Sequence, residues 1–115
     1  MLSKYEFLID KAKQDFGVLK KWTNIKAMSE QEVYENLKYL TAYAIQKLMD
    51  HDYSRLLELL YKSDISETKV KACFDADKSS KEISIAIAEL YMARMIAKWK
   101  TRQEYQSDEV EGDWD

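Results

Sequence analysis

The chain has 115 residues, 34% of them charged, with no proline, two glycines, one cysteine and a formal net charge of −3. That length accommodates a single hydrophobic core without metals or disulfides, and the scarcity of Pro and Gly removes the punctuation that hairpins and sheets require, so an all-α fold is expected. The lone Cys73 excludes an intrachain disulfide, and the charges in the opening Met-Leu-Ser-Lys-Tyr-Glu interrupt the apolar run of a signal peptide, which together point to the cytoplasm.

Ser3 and Glu6 have the spacing of a capping box, in which the serine oxygen accepts from an orphan N–H and the glutamate reaches back to the cap. A first helix should start there, bury Tyr5, Leu8, Ile9, Ala12, Phe16 and Leu19, and end near Trp22, with Gly17 a weak point in its last turns. Phe7, Val18 and Trp22 lie off that stripe. Ser29 and Glu32 repeat the capping box, and Val33, Leu37, Leu40, Ala44 and Leu48, flanked by Ile45 and Met49, make residues 30–50 a clean amphipathic helix. Its outer side carries Tyr39 and Tyr43, four residues apart and therefore neighbours on the surface.

Asp52 is placed to cap a short third helix bearing Leu56, Leu57, Leu59, Leu60 and Tyr61. After the turn Ser63-Asp64-Ile65, Ser66 is placed to cap a fourth, with Val70, Cys73 and Phe74. Ser79 and Glu82 form a third capping box, opening a helix that should reach about residue 106 and approach about 40 Å in length. The expected architecture is a four- or five-helix bundle around this long C-terminal central helix. Residues 1–106 form the bundle domain, and 107–115 form an acidic tail expected to be mobile, with five carboxylates and no cation.

Within the last helix, residues 83–99 are apolar on two sides. At about 100° per residue, Ile83, Ala86, Ile87, Leu90, Ala93 and Ala97 share one side, and Ile85, Ala88, Met92, Met95, Ile96 and Trp99 share the other. Glu89 and the strip Ser84, Arg94 and Lys98 divide them. Both sides need cover, either from the chain's own helices or from a partner. The run does not read as a membrane span, since Glu89 and Arg94 would each cost about 2.5–3.5 kcal/mol near its centre.

Catalytic signatures are sparse. One histidine and one cysteine fall short of the ligand count of a usual metal site, so His51-Asp52 reads as an interhelical turn and no metal or cofactor is expected. Cys73, beside Phe74 and one turn from Val70, reads as a small buried residue rather than a nucleophile. No glycine-rich phosphate loop or serine elbow is present, and the chain is read as a non-enzyme. The third and fourth helices have the outline of a helix-turn-helix, but Asp64, Glu67, Asp75 and Asp77 neutralise Lys69 and Lys71. The stronger basic patch, Lys98, Lys100 and Arg102 around Trp99, makes nucleic-acid binding the runner-up function. A carboxylate-based metal enzyme is the weakest alternative.

Residues 59–69, Leu-Leu-Tyr-Lys-Ser-Asp-Ile-Ser-Glu-Thr-Lys, and 98–105, Lys-Trp-Lys-Thr-Arg-Gln-Glu-Tyr, resemble segments of small uncharacterised helical bacterial proteins. The resemblance implies a bacterial, cytoplasmic setting and brings no activity or site residues. The favoured expectation is a non-catalytic module acting through protein contacts, self-association included. Its contact residues would come from Tyr39, Tyr43, Met92, Met95, Ile96, Trp99 and Trp114, because aromatics bring large area at low conformational cost.

Overall fold

Four of the five described helices, the first excepted, begin where a side chain accepts from one of the first orphan backbone donors. The computed structural model describes residues 4–17 and 28–112, with side chains through residue 104. It contains α1 (Lys4–Phe16), α2 (Glu30–His51), α3 (Tyr53–Lys62), α4 (Glu67–Cys73) and α5 (Ser80–Gly112), with no strand among the described residues. The fold is an all-α bundle with a long C-terminal helix.

At the head of α2, Ser29 Oγ accepts from the Glu32 N–H at 3.1 Å while Glu32 Oε1 accepts from the Ser29 N–H at 2.9 Å. Ser79 and Glu82 repeat the exchange before α5, at 3.2 and 3.0 Å. These bonds from the backbone and hydroxyl of each serine hold both glutamate carboxyls below the usual range. Asp52 caps α3 through the Arg55 N–H and Ser66 caps α4 through the Lys69 N–H. The proposed cap at Ser3 lies outside the described residues, as do Val18, Leu19 and Trp22.

The first helix stops sooner than its apolar pattern suggests. Gly17 takes φ +66° and donates its N–H to the Lys13 carbonyl at 3.0 Å, closing the last turn in the left-handed conformation that a glycine adopts without steric cost. Gly17 is thus the terminator of α1 rather than a weak point inside it. At the other end of the chain, α5 runs past residue 106 to Gly112, since no proline or glycine interrupts it before that position. Its 33 residues, at about 1.5 Å each, span the molecule's 51 Å longest dimension.

Two core clusters are strung along α5. In one, Phe7, Leu8, Ile9 and Ala12 of α1 and Val33 and Leu37 of α2 meet Tyr91, Met92 and Met95. In the other, Ala42 and Ile45 of α2, Leu56 and Leu60 of α3, and Val70 and Cys73 of α4 meet Ile83, Ile87 and Ala88. The start of α2 therefore lies against the later part of α5 and its end against the earlier part, so the two helices are antiparallel. So are α1 and α5: the Arg102 guanidinium sits 5.1 Å from the Phe7 ring, and the Tyr91 hydroxyl reaches Asp15.

The midline of α5 is not where the apolar pattern placed it. Ser84, Ala88, Tyr91 and Met95, a line at three- and four-residue spacing, are all buried. The two apolar sides read from the sequence are the flanks of this single broad face, and the supposed divider at Ser84, Arg94 and Lys98 runs along its inner side. Ala93 and Ala97, read as part of one apolar side, are exposed. Most polar atoms on the inner line find partners, the exception being the Arg94 Nε, which is buried without one among the described residues. Ser84 Oγ donates to the Lys81 carbonyl at 2.8 Å, Arg94 pairs with Asp64 at 2.8 Å, and Tyr91 donates to Asp15 Oδ2 at 2.6 Å.

Tyr91 fastens α1 to α5. It is 1% exposed, its ring meets Phe16 edge-on with centroids 5.0 Å apart, and its hydroxyl donates to a carboxylate. Burial, followed by the bond to Asp15 and that residue's negative charge, raises its pKa far above the ordinary tyrosine value. Tyr91→Phe should therefore lower stability in urea unfolding by about 1.5–3 kcal/mol, the range for losing a bond to a charged acceptor. The unfolded chain ionises this hydroxyl near about pH 10, whereas the native state keeps its proton, so stability falls as the pH climbs above that value. The phenylalanine variant should show a shallower alkaline fall, by up to about 1.4 kcal/mol per pH unit.

Candidate functional site

The sequence-derived contact residues separate into three groups. Met92 and Met95, expected on a partner-facing side of α5, are 0% and 1% exposed. The reason is that α1 brings Phe7, Leu8 and Ala12, and α2 brings Val33 and Leu37, over that side, so the chain covers it itself. Ile96 and Trp99 are half-buried at the edge of the same cluster. Tyr39 and Tyr43 are 52% and 61% exposed, while Trp114 lies outside the described residues.

The three basic candidates do not form one open patch. Lys98 is half-buried, and burial together with Arg94 beside it lowers its pKa, partly offset by Asp64. Arg102 is exposed but lies over the Phe7 ring. Lys100 is exposed beside Trp99 and Tyr5.

The exposed tyrosines border the seam between α2 and α5. Tyr39, Ala42, Tyr43 and Gln46 from α2, with Lys81, Ser84 and Ile85 from α5, enclose a hollow of about 260 Å³ without a carboxylate in its lining. Lysines lie over both rings: Lys38 Nζ is 5.0 Å from the Tyr39 centroid and Lys47 Nζ 4.7 Å from that of Tyr43. Lys38 is also tied to Glu35 at 3.1 Å and Glu89 at 3.8 Å. Lys47 and Lys81 are exposed and have no ion-pair partner among the described residues.

A second surface was missed in the sequence. Of the apolar residues carried by α3, Leu57 and Tyr61 are 42% and 84% exposed, while Leu56, Leu59 and Leu60 are buried. The outward pair borders a groove of about 650 Å³ with Leu60, Ile65 and Val70 among its lining and Asp64 and Glu67 on its rim. The available signal was spacing: residues 56, 59, 60 and 63 share one helical face, which leaves 57 and 61 beside it.

Reactive groups do not converge. The Cys73 thiol is buried, donates to the Lys69 carbonyl at 3.4 Å, and is pushed up in pKa chiefly by burial. His51 ends α2 on the surface, and Asp52 caps α3. Among the described residues no group of three or more His, Cys, Asp or Glu side chains is placed to hold a metal ion. No helix among them is long and apolar enough to cross a membrane.

Burial sets opposite outcomes for two substitutions. Met95→Glu should abolish cooperative unfolding followed by circular dichroism, because a carboxylate would be forced into a fully covered site. Tyr43→Ser should shift stability by no more than about 0.5 kcal/mol, as expected for an exposed position. Compared with known proteins, the chain matches no family model, no curated protein and no solved structure.

Proposed function

We propose that this chain is a non-catalytic helical module that acts through protein contacts, self-association included, with the α2–α5 seam as its contact surface. The observation that carries the reading is the pair Tyr39 and Tyr43, more than half exposed beside a carboxylate-free hollow. Rings in that position add little to the fold. They would bring large contact area at low entropic cost to an interface, and the neighbouring Lys47 and Lys81 suit an acidic partner. The burial of the Cys73 thiol, with His51 exposed at the end of α2, supports a non-catalytic role.

The nucleic-acid reading is weaker, since Lys98 is half-buried and Arg102 is engaged with Phe7. A bacterial, cytoplasmic setting rests on the resemblance at residues 59–69 and 98–105.

Affinity capture with the wild type and with the double variant Tyr39→Ser/Tyr43→Ser tests the reading. Proteins recovered by the wild type, other copies of the chain included, should be lost from the variant while its helicity and melting midpoint stay unchanged. Equal recovery by both chains, or no specific recovery by either, would overturn it.

A further inference from the structure

We propose that the outer side of α3 and the groove between α3 and α4 receive an amphipathic helix of a partner protein. Its apolar stripe would lie on Tyr53, Leu57 and Tyr61, and the lysines or arginines along one flank would lie over Asp64 and Glu67. This surface shares no residue with the α2–α5 seam, and the inference does not depend on the reading given to that seam.

The apolar relief is the first argument. Among the described residues six large hydrophobics are exposed, and three of them, Tyr53 at 45%, Leu57 at 42% and Tyr61 at 84%, stand on α3. Four-residue spacing sets them in one row about 12 Å long at about 1.5 Å per residue, enough for about two turns of a docking helix. Phe74, at the end of α4, meets the Tyr53 ring edge-on at 6.1 Å and continues the row onto α4. Beside the row lies the groove of about 650 Å³ lined by Leu60, Ile65 and Val70. A second hollow of about 510 Å³ runs along the other flank of Leu57 and Tyr61. The pair is therefore a ridge with a trough on each side, the relief against which a second helix packs.

Charge decides which helix fits. The groove lining holds two carboxylates, Asp64 and Glu67, and no cation. Glu67 is exposed and has no ion-pair partner among the described residues. Asp64 is held in place: it takes φ +63° where α3 ends, donates its N–H to the Tyr61 carbonyl at 3.0 Å, and pairs with Arg94 at 2.8 Å. The hollow on the other flank carries two cations, Arg55 and Lys62, beside Glu58. A helix with cations along one flank is therefore held with that flank towards α4, and an acidic one is repelled from the groove.

Fluorescence anisotropy with three labelled helical peptides tests this on the full chain. One has a leucine stripe, lysines along one flank and glutamines elsewhere; the second replaces the lysines with glutamates, and the third replaces the leucines with serines. The leucine–lysine peptide should bind, and the other two should bind at least about tenfold more weakly. Leu57→Ser/Tyr61→Ser should weaken the leucine–lysine complex about tenfold or more and Glu67→Gln about threefold. Helicity should stay unchanged, because all three side chains are exposed. Tyr39→Ser/Tyr43→Ser should bind as the wild type does. The proposal is overturned if the leucine–lysine peptide does not bind, if either control peptide binds as tightly, or if the α3 double variant or Glu67→Gln binds like the wild type. Wild-type dimers that the α3 double variant abolishes would make the occupant a second copy and overturn it as well.

Discussion

An apolar arc as wide as the one on α5 cannot be covered by one neighbouring helix, and the rest of the fold follows from how the cover is shared. Along its later part, α1 and α2 straddle Tyr91, Met92 and Met95. Along its earlier part, the end of α2 and the short α3–α4 pair close over Ile83, Ile87 and Ala88. The tyrosine on the inner line is decisive, because a hydroxyl brought into such a place needs an acceptor. Asp15 supplies it from the last turn of α1, just before Gly17 ends that helix. The position at which α1 stops and the residue that anchors it to α5 are therefore linked.

Much of this was legible because it depends on local chemistry. Ser29–Glu32 and Ser79–Glu82 cap helices as their spacing indicated, and Asp52 and Ser66 do the same for the short pair. What sequence could not supply was the inner line of α5. A pattern of apolar residues shows how wide a buried face is, but its middle depends on which polar groups find partners in other helices. Ser84, Arg94 and Lys98 looked like a solvent strip. In the fold Ser84 bonds its own helix, Arg94 reaches Asp64, and Lys98 keeps its stem half-covered. Ala93 and Ala97 looked like core, yet an exposed alanine serves a helix through its backbone preference alone.

The candidate site divides along the same boundary. Tyr39 and Tyr43 were legible from their four-residue spacing off the α2 stripe, although the stripe itself is shifted, with Leu40 40% exposed and Thr41, Ala42 and Ile45 buried in place of Ala44 and Leu48. Met92 and Met95 were not, because their burial is decided by the arrival of α1, whose contacts with α5 are remote in sequence. Leu57 and Tyr61 belong to a ten-residue helix whose buried face is Leu56, Leu59 and Leu60, and only helical spacing separates them from it. Local patterns thus found the surface on the longest regular stripe and missed the one where apolar residues crowd a short element.

The placement of α5 also affects how the chain is made. Asp15 and Tyr91 are separated by 76 positions, and a ribosome adding about 5–20 residues per second takes about 4–15 s to cover that interval. For the later part of that interval the apolar stripes of α1 and α2 exist without the helix that shelters them. The contact between Asp15 and Tyr91 therefore cannot form until α5 has been made. Because contacts such as Asp15–Tyr91 join segments remote in sequence, the bundle cannot close before α5 is present.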